Sequence, residues 1–123
     1  MEFWVLVIDD DVATREALAD ILGRAGYGVV SWAGDTSLED IFASQAYRVA
    51  VVDYHLPSFS GLELAQQLKR LQPKCRIILI SSEFPHLAEA VADATVVDRF
   101  LAKPFSKDTI LEVIAKLCST GAG

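Results

Sequence analysis

The sequence predicts one doubly wound α/β domain, a parallel five-stranded sheet with helices on both faces. Three observations carry this expectation. Residues 3–8 (FWVLVI) and 49–52 (VAVV) are apolar without alternation, as strands buried on both faces must be. Strand-like and helix-like patterns alternate five times along the chain, which calls for parallel strands joined by crossover helices. At 123 residues, 52% of them hydrophobic, the chain suits one domain with a genuine core and leaves no room for a second.

The first strand, 3–8, ends in Asp9, Asp10 and Asp11. Leu18, Ile21, Leu22 and Ala25 then recur at helical spacing, with Asp11 suited to cap this first helix and Gly26 standing where a left-handed residue is needed. Residues 29–33 (VVSWA) form a short second strand, and Thr36 followed three residues later by Glu39 has the order of a capping box for a second helix bearing Leu38, Ile41 and Phe42. The third strand runs straight into Asp53. Pro57, Ser58, Ser60 and Gly61 make a turn before a third helix, marked by Leu64, Ala65, Leu68 and Leu71 and stopped by Pro73. Strand four, 77–80, ends at Ser81 and Ser82. An Ala-rich fourth helix begins near Pro85, and strand five lies within 95–102, ending at Lys103 and Pro104. A fifth helix, capped by Ser106, carries Ile110, Val113, Ile114 and Leu117 on one face. The domain is expected to span 1–119, with 120–123 a flexible tail or the start of a linker.

The longest apolar run falls far short of the ~20 residues a membrane span needs, and the acidic start of the chain lacks the basic region of a secretory signal. No membrane contact is expected, and the expected location is the cytoplasm. Cys75 and Cys118 have neither CxxC nor metal-ligand spacing and read as packing residues. A net charge of −6 sets the domain against direct contact with nucleic acid.

In the flavodoxin-like order 2-1-3-4-5, strands one, three, four and five are successive neighbours, and the crevice opens between strands one and three. Asp9, Asp10, Asp53, Ser81 and Lys103 then fall in a row at the carboxyl edge. The row spans roughly 14 Å at ~4.8 Å per strand, so only a side chain as long as Lys103 reaches back to Asp53. Carboxylates ~5 Å apart at an effective dielectric near 20 repel by about 3 kcal/mol per pair, and a cation is the natural relief. Oxygen ligands with positions left for water favour Mg²⁺. A carboxylate, a divalent ion, a hydroxyl and an ammonium together can carry out phosphoryl transfer to an aspartate.

The motifs IDDD (8–11), VVDYHLPSFSG (51–61), ILISS (78–82) and AKPF (102–105) stand in the order and spacing of the receiver domain of two-component response regulators, which the chain resembles from residue 3 to about 117. The resemblance implies a (βα)5 switch domain rather than a turnover enzyme, assisting only its own phosphorylation and dephosphorylation. Asp53 would accept a phosphoryl group from a phosphohistidine on a histidine kinase or histidine phosphotransfer protein, with Lys103 and Ser81 beside it. Mg²⁺ would be held by Asp10, Asp53 and the main-chain carbonyl of His55, with Asp9 an acid just outside its direct ligands. Ser81 and Phe100 would switch, reshaping the surface of the fourth helix, fifth strand and fifth helix for an output domain, an effector protein or a second copy. The Lys103–Pro104 bond would be cis, and His55 and Glu83 would tune how long the phosphoryl group survives.

Two features depart from that family's usual pattern. ATVVDRF (94–100) lacks the common Gly-Ala before strand five, and Phe100 lacks the hydroxyl of the tyrosine often found at its position. Three other readings compete. One is a receiver-like scaffold that is never phosphorylated. A second, a Mg²⁺-dependent aspartate-nucleophile phosphohydrolase of the haloacid-dehalogenase type, wants Gly-Thr after its second strand-one Asp, where Asp11 is followed by Val12 and Ala13. A flavin or nucleotide module wants a Gly- or hydroxyl-rich turn after strand one, where the chain has DDDVATR.

Overall fold

A computed structural model describes residues 3–32, 37–56, 60–82 and 96–120. β1 (Trp4–Ile8), β2 (Gly28–Trp32), β3 (Val49–Asp53), β4 (Arg76–Ser81) and β5 (Arg99–Ala102) form one sheet, every pairing parallel, in the order β2-β1-β3-β4-β5. The helices are α1 (Val12–Arg24), α2 (Leu38–Ser44), α3 (Gly61–Leu71) and a C-terminal helix (Lys107–Thr120).

The unbroken apolar strands are explained by two cores. Leu6, Ile8, Ala50, Val52, Ile77 and Leu79 pack on one face with Phe42, Leu64 and Leu68 from α2 and α3. Val5, Val7, Val49, Val51, Ile78 and Ile80 pack on the other with Leu18 and Leu22 of α1 and Ile110 and Ile114 of the C-terminal helix. Val49 to Val52 are fully buried, and each such side chain contributes about 1.5–3 kcal/mol on leaving water. Cys75 and Cys118 are buried and belong to opposite faces, as packing residues rather than a pair.

Local signals set the element ends. Asp11 caps α1, its carboxylate accepting from the Thr14 amide, and Gly26 takes φ +98° just past the C-cap. Ser60 caps α3 and Ser106 accepts from the Thr109 amide at 3.0 Å. One end differs from expectation. The α2 cap is Ser37, accepting from the Asp40 amide at 3.4 Å, so the cap stands one residue later than a Thr36–Glu39 box would put it. β5 (Arg99–Ala102) falls within the expected 95–102, and just ahead of it Asp98 turns its carboxylate onto the Ile77 amide at 2.7 Å while its own amide donates to the Ile77 carbonyl at 2.9 Å. The expected fourth helix near Pro85 lies outside the described residues, as does Glu83. Among the described residues no helix is long and apolar enough to cross a membrane.

Candidate functional site

Register builds the site. Ile8 pairs with Val52, so Asp9 leaves β1 beside Asp53, the last residue of β3. Asp53 pairs with Ile80, and Ile80 with Leu101. The row at the carboxyl edge is therefore Asp9, Asp53, Ile80, Leu101, with Ser81 one residue beyond it and Lys103 two. Lys103 extends past the end of β5, and its stem spans the gap. Its Nζ lies 2.9 Å from Asp9 Oδ2 and 3.3 Å from Asp53 Oδ2. The Lys103–Pro104 peptide is cis, as the resemblance implies.

The acids occupy different surroundings. The Asp9 side chain is wholly buried, and its Oδ1 accepts from the Asp11 amide at 2.9 Å. Asp53 is 6% exposed and accepts from the His55 amide at 3.3 Å. Asp10 stands at the exposed rim, and one carboxylate oxygen from each of Asp9, Asp10 and Asp53 falls within 4.8 Å of the others. Burial pushes the Asp53 carboxyl above its ordinary range and the charge of Asp9 pushes it further, against the pull of Lys103 and the His55 amide. Burial alone would lower Lys103, but its hydrogen bond to Asp9 and the charges of both carboxylates outweigh it and hold the ammonium above its usual value. An all-oxygen set, crowded with negative charge and open on the Asp10 side, fits a hard divalent cation.

Gly61 shapes this pocket. It opens α3 beneath the end of β3, its amide donating to the Tyr54 carbonyl at 2.8 Å. A Cβ there would collide with the Asp53 carbonyl oxygen and come within 2.8 Å of the Asp53 carbonyl carbon and the Tyr54 Cα. The chain thus needs glycine at 61 for close packing rather than for an unusual φ. The His55 ring is exposed and sits edge-on to Tyr54, and His55 pairs with Ser60 in a short antiparallel bridge closing the loop.

Ser81 and Phe100 lie off the carboxylate row. Ser81 is fully buried, and strand alternation gives it the same sheet face as Leu79 and Phe100. Because Ser81 pairs with Ala102, Phe100 is its diagonal neighbour on that face. The structure thus brings together Asp9, Asp10, Asp53 and Lys103 directly, and Ser81 with Phe100 as an adjoining pair. One nearby residue carries no sequence signal: Arg15 of α1, whose Nη1 donates to the Asp9 carbonyl at 2.8 Å.

Comparison with known proteins agrees with the fold. A family model described as the response regulator receiver domain matches residues 5–115. The sensory/regulatory protein RpfC of Xanthomonas campestris is 29% identical over 117 residues, covering 92% of this chain but only 16% of RpfC. A CheY-like receiver domain protein from Methanospirillum hungatei superposes with a TM-score of 0.89 at 23% identity, covering 99% of this chain and 98% of that one. The response regulator TrrA of Thermotoga maritima, solved with Mg²⁺ and BeF, gives 0.80 at 28% identity over 94% of this chain and 98% of TrrA.

Proposed function

Since the chain belongs to the response regulator receiver domain family, a signalling family, we propose that it is a phosphoacceptor switch in which Asp53 takes a phosphoryl group from a phosphohistidine of a histidine kinase or phosphotransfer protein. The observation that carries this reading is the bridge from Lys103 to both Asp9 and Asp53. It holds a fixed positive charge at the mouth of the acceptor carboxylate, where charge on a transferring phosphoryl group needs it.

A carboxylate oxygen of Asp53 forms the O–P bond as the P–N bond to the donor imidazole breaks. The electron pair leaves with that nitrogen, which takes a proton from solvent. Asp10, Asp53 and the His55 carbonyl would hold Mg²⁺, with Asp9 behind them, and the bound ion supplies positive charge that draws phosphoryl oxygens toward the acceptor. The Lys103 ammonium, shared between Asp9 and Asp53 at rest, is within reach of an oxygen of the new acyl phosphate. Modification changes the charge on Asp53 from about −1 to about −2 and creates acceptors that demand donors. Ser81 donates to one of them, and its movement frees space into which the diagonal Phe100 ring turns. The surface around β5 and the C-terminal helix is thereby altered for an output domain, an effector or a second copy. Two charge-assisted bonds at ~1.5–3 kcal/mol each suffice to move such an equilibrium from mostly off to mostly on. The working location is the cytoplasm, where the phosphodonor is made.

Incubation with acetyl phosphate and Mg²⁺, followed by intact mass, tests this. The wild type should gain one phosphoryl group and Asp53→Asn none. A wild type that stays unmodified would overturn this reading and favour the scaffold.

A further inference from the structure

Asp9 has every polar handle engaged. Its amide donates to the Trp32 carbonyl at 3.3 Å, and its carboxylate is divided between the Asp11 amide and Lys103, each at 2.9 Å. Its carbonyl accepts from Arg15 Nη1 at 2.8 Å. Arg15 is half-buried in the first turns of α1, and its own amide donates to the Asp11 carbonyl at 3.0 Å. The bond from its guanidinium back to Asp9 therefore staples the helix to the end of β1 across the whole acidic turn. What the staple fixes is the direction in which the chain leaves β1, and with it the direction of the next residue. Asp10 is exposed, so its carboxylate is aimed at Asp53 by the backbone rather than by packing.

We propose that Arg15 is a positioning residue for the divalent-ion site, holding the Asp9 peptide so that Asp10 is presented toward Asp53. This rests on the reading that Asp10 and Asp53 hold the ion. A cation so close to the site would otherwise be a hindrance, and that makes the role separable from a charge effect. As a mere charge, Arg15 repels a dication, and its removal tightens binding. As a staple, it organises the donors, and its removal weakens binding.

The test is calorimetric titration of the metal-free full chain with Mg²⁺, comparing wild type, Arg15→Met and Arg15→Lys, with thermal melts of each in EDTA. Arg15→Met should bind Mg²⁺ roughly tenfold more weakly, the usual size of losses from groups that orient metal ligands. Arg15→Lys, which keeps an N–H donor, should recover part of the loss, and the EDTA melts should stay close together. Affinity in Arg15→Met equal to or tighter than wild type overturns the proposal, including the case in which only its melting temperature falls. Should Arg15→Met not fold, Arg15→Leu, which also lacks a donor, makes the same comparison. A wild type that takes up no Mg²⁺ would sink the ion site itself, a failure distinct from that of the staple.

Discussion

Replacing Lys103 with methionine tests the electrostatics of the site most sharply. Nζ lies 2.9 Å from Asp9 and 3.3 Å from Asp53, whose side chains are 0% and 8% exposed, so its loss leaves two buried carboxylates face to face. Removing one partner of a buried pair costs roughly 3–5 kcal/mol. The Lys103 side chain is itself 21% exposed, so water enters part of the space it leaves and the low end, about 3 kcal/mol, is expected. In a chain of this size that is a melting temperature lower by about 10 °C.

The deficit should depend on pH in a set direction. Burial and the charge of Asp9 already hold the Asp53 carboxyl above its unfolded value, so the native state binds its proton more tightly than the unfolded chain does. That contribution to stability is fully present below the unfolded pKa and is lost as pH rises through the folded one. Without Lys103 the folded pKa moves higher still. The variant should therefore be weakest near neutral pH and approach wild type on acidification. Urea unfolding in EDTA at about pH 7.5 and about pH 4.5, repeated with Mg²⁺, measures this. A variant as stable as wild type at neutral pH, or a deficit that acid and Mg²⁺ leave untouched, would refute the reasoning.

Asp53→Asn, by the same sign, should stabilise the metal-free protein at neutral pH, since it removes a disfavoured charge, and the gain should vanish in acid. Equal melting curves for wild type and variant in EDTA would contradict this. Gly61→Ala should cost about 3 kcal/mol or more, because the new methyl meets backbone at Asp53 and Tyr54 rather than a side chain that can swing away. It should weaken Mg²⁺ binding as well, which calorimetry on the folded fraction would show. The Cys75 thiol, pushed up to about 12 chiefly by burial, should resist iodoacetamide at about pH 8 in the native protein and react once unfolded. Rapid native labelling at residue 75 would show that this end of the sheet opens readily.

Much of the fold was legible because burial on both sheet faces leaves strands no freedom to alternate, and the apolar runs within 3–8, 49–52 and 77–80 mark the three central strands. The acidic turn, Asp53 and Lys103 were legible because strand order alone carries them to one edge. What escaped were bonds from side chains to distant main chain. Arg15 to the Asp9 carbonyl is one. Gln72, which accepts from the Tyr47 amide at 2.8 Å and donates to the Phe42 and Gln45 carbonyls at 2.7 Å each, is another, closing the end of α2 from across the fold. Asp98 is a third: its carboxylate pairs with Lys69 and Arg76 at 3.3 Å and accepts from the Ile77 amide at 2.7 Å, tying the start of β5 to β4. No local pattern marks such residues, because their partners are set only when the layers assemble. Gly61 was legible as a turn residue, but the need for glycine comes from the β3 backbone passing over it.

The central claim is that the carboxylate bridged by Lys103 at the end of β3 is where the phosphoryl group arrives. Reducing the phosphorylated protein with borohydride, which converts an aspartyl phosphate to homoserine, and mapping the product by peptide mass spectrometry tests it most directly. Homoserine at residue 53 alone is the predicted result. Homoserine at residue 9 or 10, or a phosphorylated protein that yields none, would contradict it.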